Sequence, residues 1–259
     1  MKRFENRMHA GRLLARRLGK YSRQSGGLVL ALPRGGVPVG FAVAQRLELP
    51  LDVIPVRKLG VPGREELAMG AIAEGGLCVT KAEVIAMFGI ESTLVDAVAY
   101  RGLREIDRQV ALYRAGRLPL RLQRRIVILV DDGLATGATM MAAVKTVRKQ
   151  HPDRLIVAVP VGSADTCIEM QEFADEVVCL LMPEPFYAVG MAYEDFGQTG
   201  DGEVLDLLAK AREWGEPPDA CPPPVGEEAS GVEMPGESVP PARAGSGSTG
   251  SDPARDRPH

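Results

Sequence analysis

The chain has 259 residues, 45% hydrophobic and 25% charged, with a net charge of −3 at neutral pH. That length suits one large or two small globular domains, and the charge balance argues against a nucleic-acid binder or a membrane-surface protein. No apolar run approaches the ~20 residues of a membrane helix, and no apolar signal core follows the basic N-terminus.

The four cysteines, Cys78, Cys167, Cys179 and Cys221, form no C-x-x-C pair. They read as reduced thiols of a cytoplasmic protein rather than as zinc ligands or a redox dithiol. Phe4 to Leu18 has the spacing of an amphipathic helix, whose basic residues Arg7, Arg12, Arg16 and Arg17 could attract an anionic ligand but are expected on a solvated face. Gly27 to Leu32 is a short apolar strand that runs into Pro33-Arg34-Gly35-Gly36 and then a helix, Val37 to Leu47. Adjacent glycines let a backbone approach an anion closely, and Arg34 offers a fork of donors suited to phosphate oxygens. An ordinary strand-to-helix turn would read the same way.

Leu51 to Val56 is the next expected strand, ending in Arg57-Lys58-Leu-Gly60-Val-Pro62-Gly63. Two cations at a strand end before a Gly/Pro-rich segment suggest the root of a mobile lid. Gly70 to Gly75 would be its returning arm, leaving Glu74 either near the reacting groups or on the surface. A helical insertion over about residues 81–120 follows. Its apolar residues Leu94, Val98, Leu103, Ile106, Val110 and Tyr113 are spaced for one face. It either covers the site or forms a subunit contact, as in a homodimer.

The central stretch is Ile126 to Thr139. Five apolar residues, Ile126 to Val130, read as a strand buried on both faces. They lead into Asp131-Asp132, a Gly/Thr turn and a helix from Ala138 to Lys149. Such a turn aims free N–H groups and the positive end of a helix at whatever lies above it. Thr136 and Thr139 add hydroxyl donors, so the loop suits a phosphate. Asp131 and Asp132 can accept from sugar hydroxyls or face a metal ion. A phosphate acceptor beside a hydroxyl acceptor implies a sugar phosphate. Neither a Walker loop nor a dinucleotide fingerprint is present.

Further strands are expected at Leu155 to Val159 and Glu176 to Leu181, with a helix between them at Ala164 to Phe173. The alternation predicts an α/β fold, a parallel β-sheet flanked by helices. Pro183 and Pro185 then break the pattern. A final helix, Glu203 to Arg212, closes a folded body over residues 1–214. Residues 215–259 hold half of the 20 prolines and few large apolar residues; their composition predicts a disordered tail.

The Asp131-Asp132 strand and loop resemble the signature of the type I phosphoribosyltransferases, which bind 5-phosphoribosyl-1-diphosphate (PRPP). The resemblance implies that Asp131 and Asp132 meet the ribose hydroxyls and that Ala135, Thr136, Gly137, Ala138 and Thr139 wrap the 5-phosphate. It assigns Arg34, Gly35 and Gly36 to the pyrophosphate, with a non-proline cis peptide next to Arg34. It also gives Arg57 and Lys58 to the pyrophosphate. A C-terminal hood, about residues 182–200, would select the base, with Phe186 and Tyr187 either stacking on it or packing in the core. Mg²⁺ near Asp131 and Asp132 is implied as cofactor, and transfer of the phosphoribosyl group to a nitrogenous base, as in nucleotide salvage, as the activity. Gly133 stands where the family usually has an aliphatic residue and is expected to loosen the turn.

Ala135 occupies the place of the carboxylate used by 6-oxopurine enzymes, which leans the reading toward an adenine-like geometry. A rival reading is a regulatory protein of the same fold that binds PRPP or a nucleotide without chemistry. A hydrolase or mutase using the aspartates as nucleophiles would need a D-x-D spacing that Asp131-Asp132 does not have.

Overall fold

The computed structural model describes residues 3–114 and 120–215. The expected tail beyond residue 215 and the end of the insertion at 115–119 lie outside the described residues. In chain order the elements are α1 (Arg7–Arg17), β1 (Gly27–Ala31), α2 (Gly36–Leu47), β2 (Leu51–Val53), β3 (Val56–Val61), β4 (Arg64–Ala73), β5 (Cys78–Thr80), α3 (Ala82–Met87), α4 (Ser92–Arg114), β6 (Ile126–Val130), α5 (Ala138–Arg148), β7 (Arg154–Val161), α6 (Ala164–Met170), β8 (Glu176–Leu181) and α7 (Asp201–Arg212). Among the described residues no helix is long and apolar enough to cross a membrane.

Five strands form a parallel sheet in the order β2-β1-β6-β7-β8. The apolar runs of β1 and β6 make them its central pair, in register from Gly27 opposite Ile126 to Ala31 opposite Val130. Their side chains alternate between two cores. Val29, Ala31, Ile128 and Val130 pack toward α1, α2 and α7. Leu28, Leu30, Val127 and Leu129 pack toward α5 and α6. From β1 the chain turns one way to β2, and from β6 the other way to β7. The direction of winding therefore reverses between β1 and β6, and the loops leaving them open a crevice at the carboxyl edge.

A second sheet was not expected. Residues 54–55 end the strand early, and β3, β4 and β5 form a separate antiparallel sheet. Arg57 and Lys58 consequently lie inside a hairpin strand rather than at a strand's end. The helical insertion covers this sheet: Ile106, Val95, Val98, Leu103 and Val110 pack on Leu59, Val61, Met69 and Ile72. The predicted apolar stripe thus has a partner within the same chain.

Candidate functional site

The loops after β1 and β6 touch. Leu32 N–H donates to Val130 O at 2.9 Å, and the Pro33–Arg34 peptide is cis, at the place expected for one. A Cβ on Gly36 would lie 2.8 Å from Val130 O and 2.9 Å from Asp131 Cα, and one on Gly35 would strike the Asp132 carboxylate. Only glycines allow this approach. Arg34 leaves the loop toward Asp201 at the start of α7 (Nη1 to Oδ1, 3.6 Å), which also accepts from Tyr113 Oη at 2.6 Å and Arg108 Nη2 at 3.3 Å.

The acidic pair is half-buried and partly satisfied. Asp131 Oδ1 accepts from the Asp132 N–H at 2.8 Å, and Asp132 Oδ2 accepts from Arg7 Nε at 2.8 Å. Among the described residues nothing bonds to the remaining oxygens, Asp131 Oδ2 and Asp132 Oδ1. Burial pushes the Asp131 carboxyl well above the usual carboxylate range, and the neighbouring Asp132 charge adds to it. Burial raises Asp132 as well, against the opposing pull of the Arg7 guanidinium. Arg7 is itself fixed: Nη1 donates to Gly197 O at 2.6 Å, and the guanidinium lies 3.9 Å from the Phe196 ring centre. Tyr193 Oη donates to the main-chain oxygen of Asp132 at 2.6 Å.

Residues 133–137 form a cradle. Gly137, at φ +72°, caps α5 without a side-chain bond. The first helical bond there is Met141 N–H to Gly137 O at 2.8 Å, so the N–H groups before it have no helical acceptor. The cavity above holds about 140 Å³ and is lined by Asp131, Ala135, Thr136, Gly137, Ala138, Thr139 and Val189. From below, Thr166 Oγ1 donates to Ala135 O at 2.8 Å, while Leu134 exchanges backbone bonds with Val161 and Ser163. At Gly133 the turn passes close to Val189. A Cβ there would collide with the methyl groups of Val189, which fill the space.

Thr139 also borders a larger cleft of about 1100 Å³, walled by Arg34, by Arg57 and Lys58 of β3, and by Arg101, Glu105 and Gln109 of α4. Four arginines and lysines face two carboxylates, Glu65 and Glu105, along this wall. The bond from Arg108 holds the Glu105 carboxyl below its ordinary range. The insertion therefore lines the cleft, which the sequence left undecided.

Three predicted site residues line neither of these two cavities. Glu74 pairs with Arg114 Nη1 at 3.0 Å, and Arg114 Nη2 reaches Asp52 at 3.4 Å, an ion cluster of two buried side chains and the half-buried Glu74. Burial raises the Glu74 carboxyl, and Arg114 opposes that shift. Phe186 packs against the small core of Phe4, Ala10, Val161, Ala192 and Tyr193, the second of its two expected placements. Tyr187 is 75% exposed and lines neither cavity.

Arg7, Tyr193, Val189 and the α4 side chains were the residues missed. Arg7 was read as solvated, and its partners lie 125 and 190 positions away. No local pattern signals such a contact.

Among the described residues no three acidic, histidine or cysteine side chains cluster as a complete metal site. Two adjacent half-buried carboxylates, each with one oxygen that accepts no bond among the described residues, do fit Mg²⁺, which is commonly held by one or two carboxylates together with substrate oxygens.

A model of the phosphoribosyl transferase domain matches residues 3–193. The chain is 45% identical over 232 residues to a Mycobacterium tuberculosis protein named "Putative phosphoribosyl transferase", an alignment taking 88% of this chain and 52% of the relative. The chain thus spans about half the length of the curated relatives it matches. The crystal structure of TT1426 from Thermus thermophilus superposes with a TM-score of 0.67 at 41% identity, covering 80% of this chain and 98% of that one. The acidic strand, the paired loops and these matches agree: the chain belongs to the type I phosphoribosyltransferase family.

Proposed function

We propose that the protein transfers the 5-phosphoribosyl group of PRPP to a nitrogenous base and releases pyrophosphate, in a Mg²⁺-dependent reaction. The observation that carries this reading is the contact between Gly35-Gly36 and Asp131-Asp132. It sets an anion-binding loop, a hydroxyl-binding pair and a phosphate cradle side by side.

In this reading the cradle of Thr136 to Thr139 takes the 5-phosphate through N–H groups at the start of α5 and the two threonine hydroxyls. Asp131 and Asp132 accept from the ribose hydroxyls. Arg34, Gly35 and Gly36 take the diphosphate, with Arg57 and Lys58 across the cleft. As the bond from C1 to the diphosphate lengthens, charge grows on the leaving group, and these cations neutralise it. The β3–β4 hairpin and α4 wall the cleft and limit water around the activated ribose. Mg²⁺ would be held by Asp131 and Asp132 together with substrate oxygens and would neutralise diphosphate charge.

Incubating the protein with labelled PRPP, Mg²⁺ and a panel of bases tests the proposal. Base-dependent release of pyrophosphate is expected. Tight PRPP binding without release from any base would favour the non-catalytic regulator.

A further inference from the structure

The acidic pair carries four carboxylate oxygens, and two of them already accept a hydrogen bond within the fold. Asp131 Oδ1 is taken by the Asp132 N–H and Asp132 Oδ2 by Arg7, each at 2.8 Å. Among the described residues one oxygen on each aspartate accepts no bond, which matches a vicinal diol, where each hydroxyl donates once. The first commitment is local and comes with the strand end. The second depends on a side chain 125 residues away.

We propose that Arg7 is a positioning residue that sets the preference for a vicinal diol, a role that rests on the sugar-phosphate reading above. It can act this way because it is rigid. Its guanidinium is gripped by Gly197 O at 2.6 Å and stacked on Phe196, and the side chains of Arg7 and Asp132 are only 12% and 16% exposed. Its Nε would also lie 3.5 Å from a Cβ on Gly35, so it closes the side of Asp132 that faces the first loop. The main chain of Asp132 is held separately, by Tyr193 Oη at 2.6 Å. Loss of Arg7 therefore frees the carboxylate to rotate while the backbone stays anchored. Asp132 would then no longer present a fixed oxygen beside that of Asp131.

The test is binding of ribose 5-phosphate, its 2-deoxy and 3-deoxy analogues and inorganic phosphate to the full chain, by calorimetry in metal-free buffer. The wild type should prefer ribose 5-phosphate over each deoxy analogue by about tenfold, the worth of one charge-assisted hydrogen bond. In Arg7→Met the preference over at least one analogue should fall toward unity, with phosphate affinity unchanged. Arg7→Lys, which keeps a charged donor but cannot match the fork, should restore part of it. Unchanged preferences in Arg7→Met would overturn the proposal. So would an equal weakening of all four ligands in both variants, the mark of a merely structural role. A wild type with no preference at all would instead remove the sugar-binding role of the pair, and the present inference with it.

Discussion

Gly35 lies against the carboxylate of Asp132, so closely that a methyl group on Gly35 would take the place of Oδ2. Ninety-seven residues separate them in the sequence, yet the parallel register of β1 and β6 brings their loops out side by side. Gly35→Ala should therefore displace either the first loop or the acidic side chain. Overpacking of this kind costs about 1–3 kcal/mol, so the protein should still fold. A calorimetric titration should show PRPP affinity falling by roughly tenfold or more, and wild-type affinity would show that the loop does not face the ligand.

Asp131→Asn should separate function from stability. Burial, and after it the charge of Asp132, raises the folded-state pKa of Asp131. The native state thus holds this proton more tightly than the unfolded chain does. The resulting stabilisation is fully present below the ordinary aspartate pKa and is lost as pH rises through the folded value. At pH 7, above the ordinary aspartate pKa, Asp131 costs stability, and asparagine relieves it. Thermal unfolding should give a higher Tm for Asp131→Asn at pH 7, with the gap closing toward pH 4. The Asp131→Asn, Asp132→Asn double variant should in addition bind PRPP almost undetectably.

The sheet was legible in the sequence because its strands are apolar and buried on both faces, which leaves a run such as Ile126 to Val130 with one interpretation. The two loops were legible because glycines, threonines and paired aspartates at strand ends each carry a local chemical meaning. The hairpin was not, since β3 follows β2 after two residues and its burial alternates irregularly around Arg57 and Lys58. The ion pairs of Glu74 and Arg7 were not legible for a shared reason. A charged side chain is read as exposed unless its partner is known, and the partners Arg114 and Asp132 are distant in the chain.

The Arg114 cluster gives a prediction about stability alone. Arg114 is 4% exposed and serves both Asp52 and Glu74. Arg114→Met should leave two carboxylates without their cation and destabilise the fold by about 3–5 kcal/mol. Denaturant unfolding should show the loss. Glu74→Gln keeps an acceptor for Arg114 and should leave base-dependent pyrophosphate release near wild type, whereas its abolition would return Glu74 to the reaction.

On α4, Arg101 borders the cleft opposite Arg34. Arg101→Ala should weaken inhibition by added pyrophosphate several-fold at low ionic strength, and less at high salt as exposed charges are screened. Equal inhibition of variant and wild type at low salt would place the diphosphate away from α4.

The most direct measurement is a crystal structure of the protein with PRPP and Mg²⁺. The account predicts one ligand bridging the two loops, its 5-phosphate in the cradle of Thr136 to Thr139 and its diphosphate against Arg34, Gly35 and Gly36, with the ribose hydroxyls on Asp131 and Asp132. A PRPP molecule bound with either phosphate end outside these loops, or with its ribose turned from the aspartates, would contradict it.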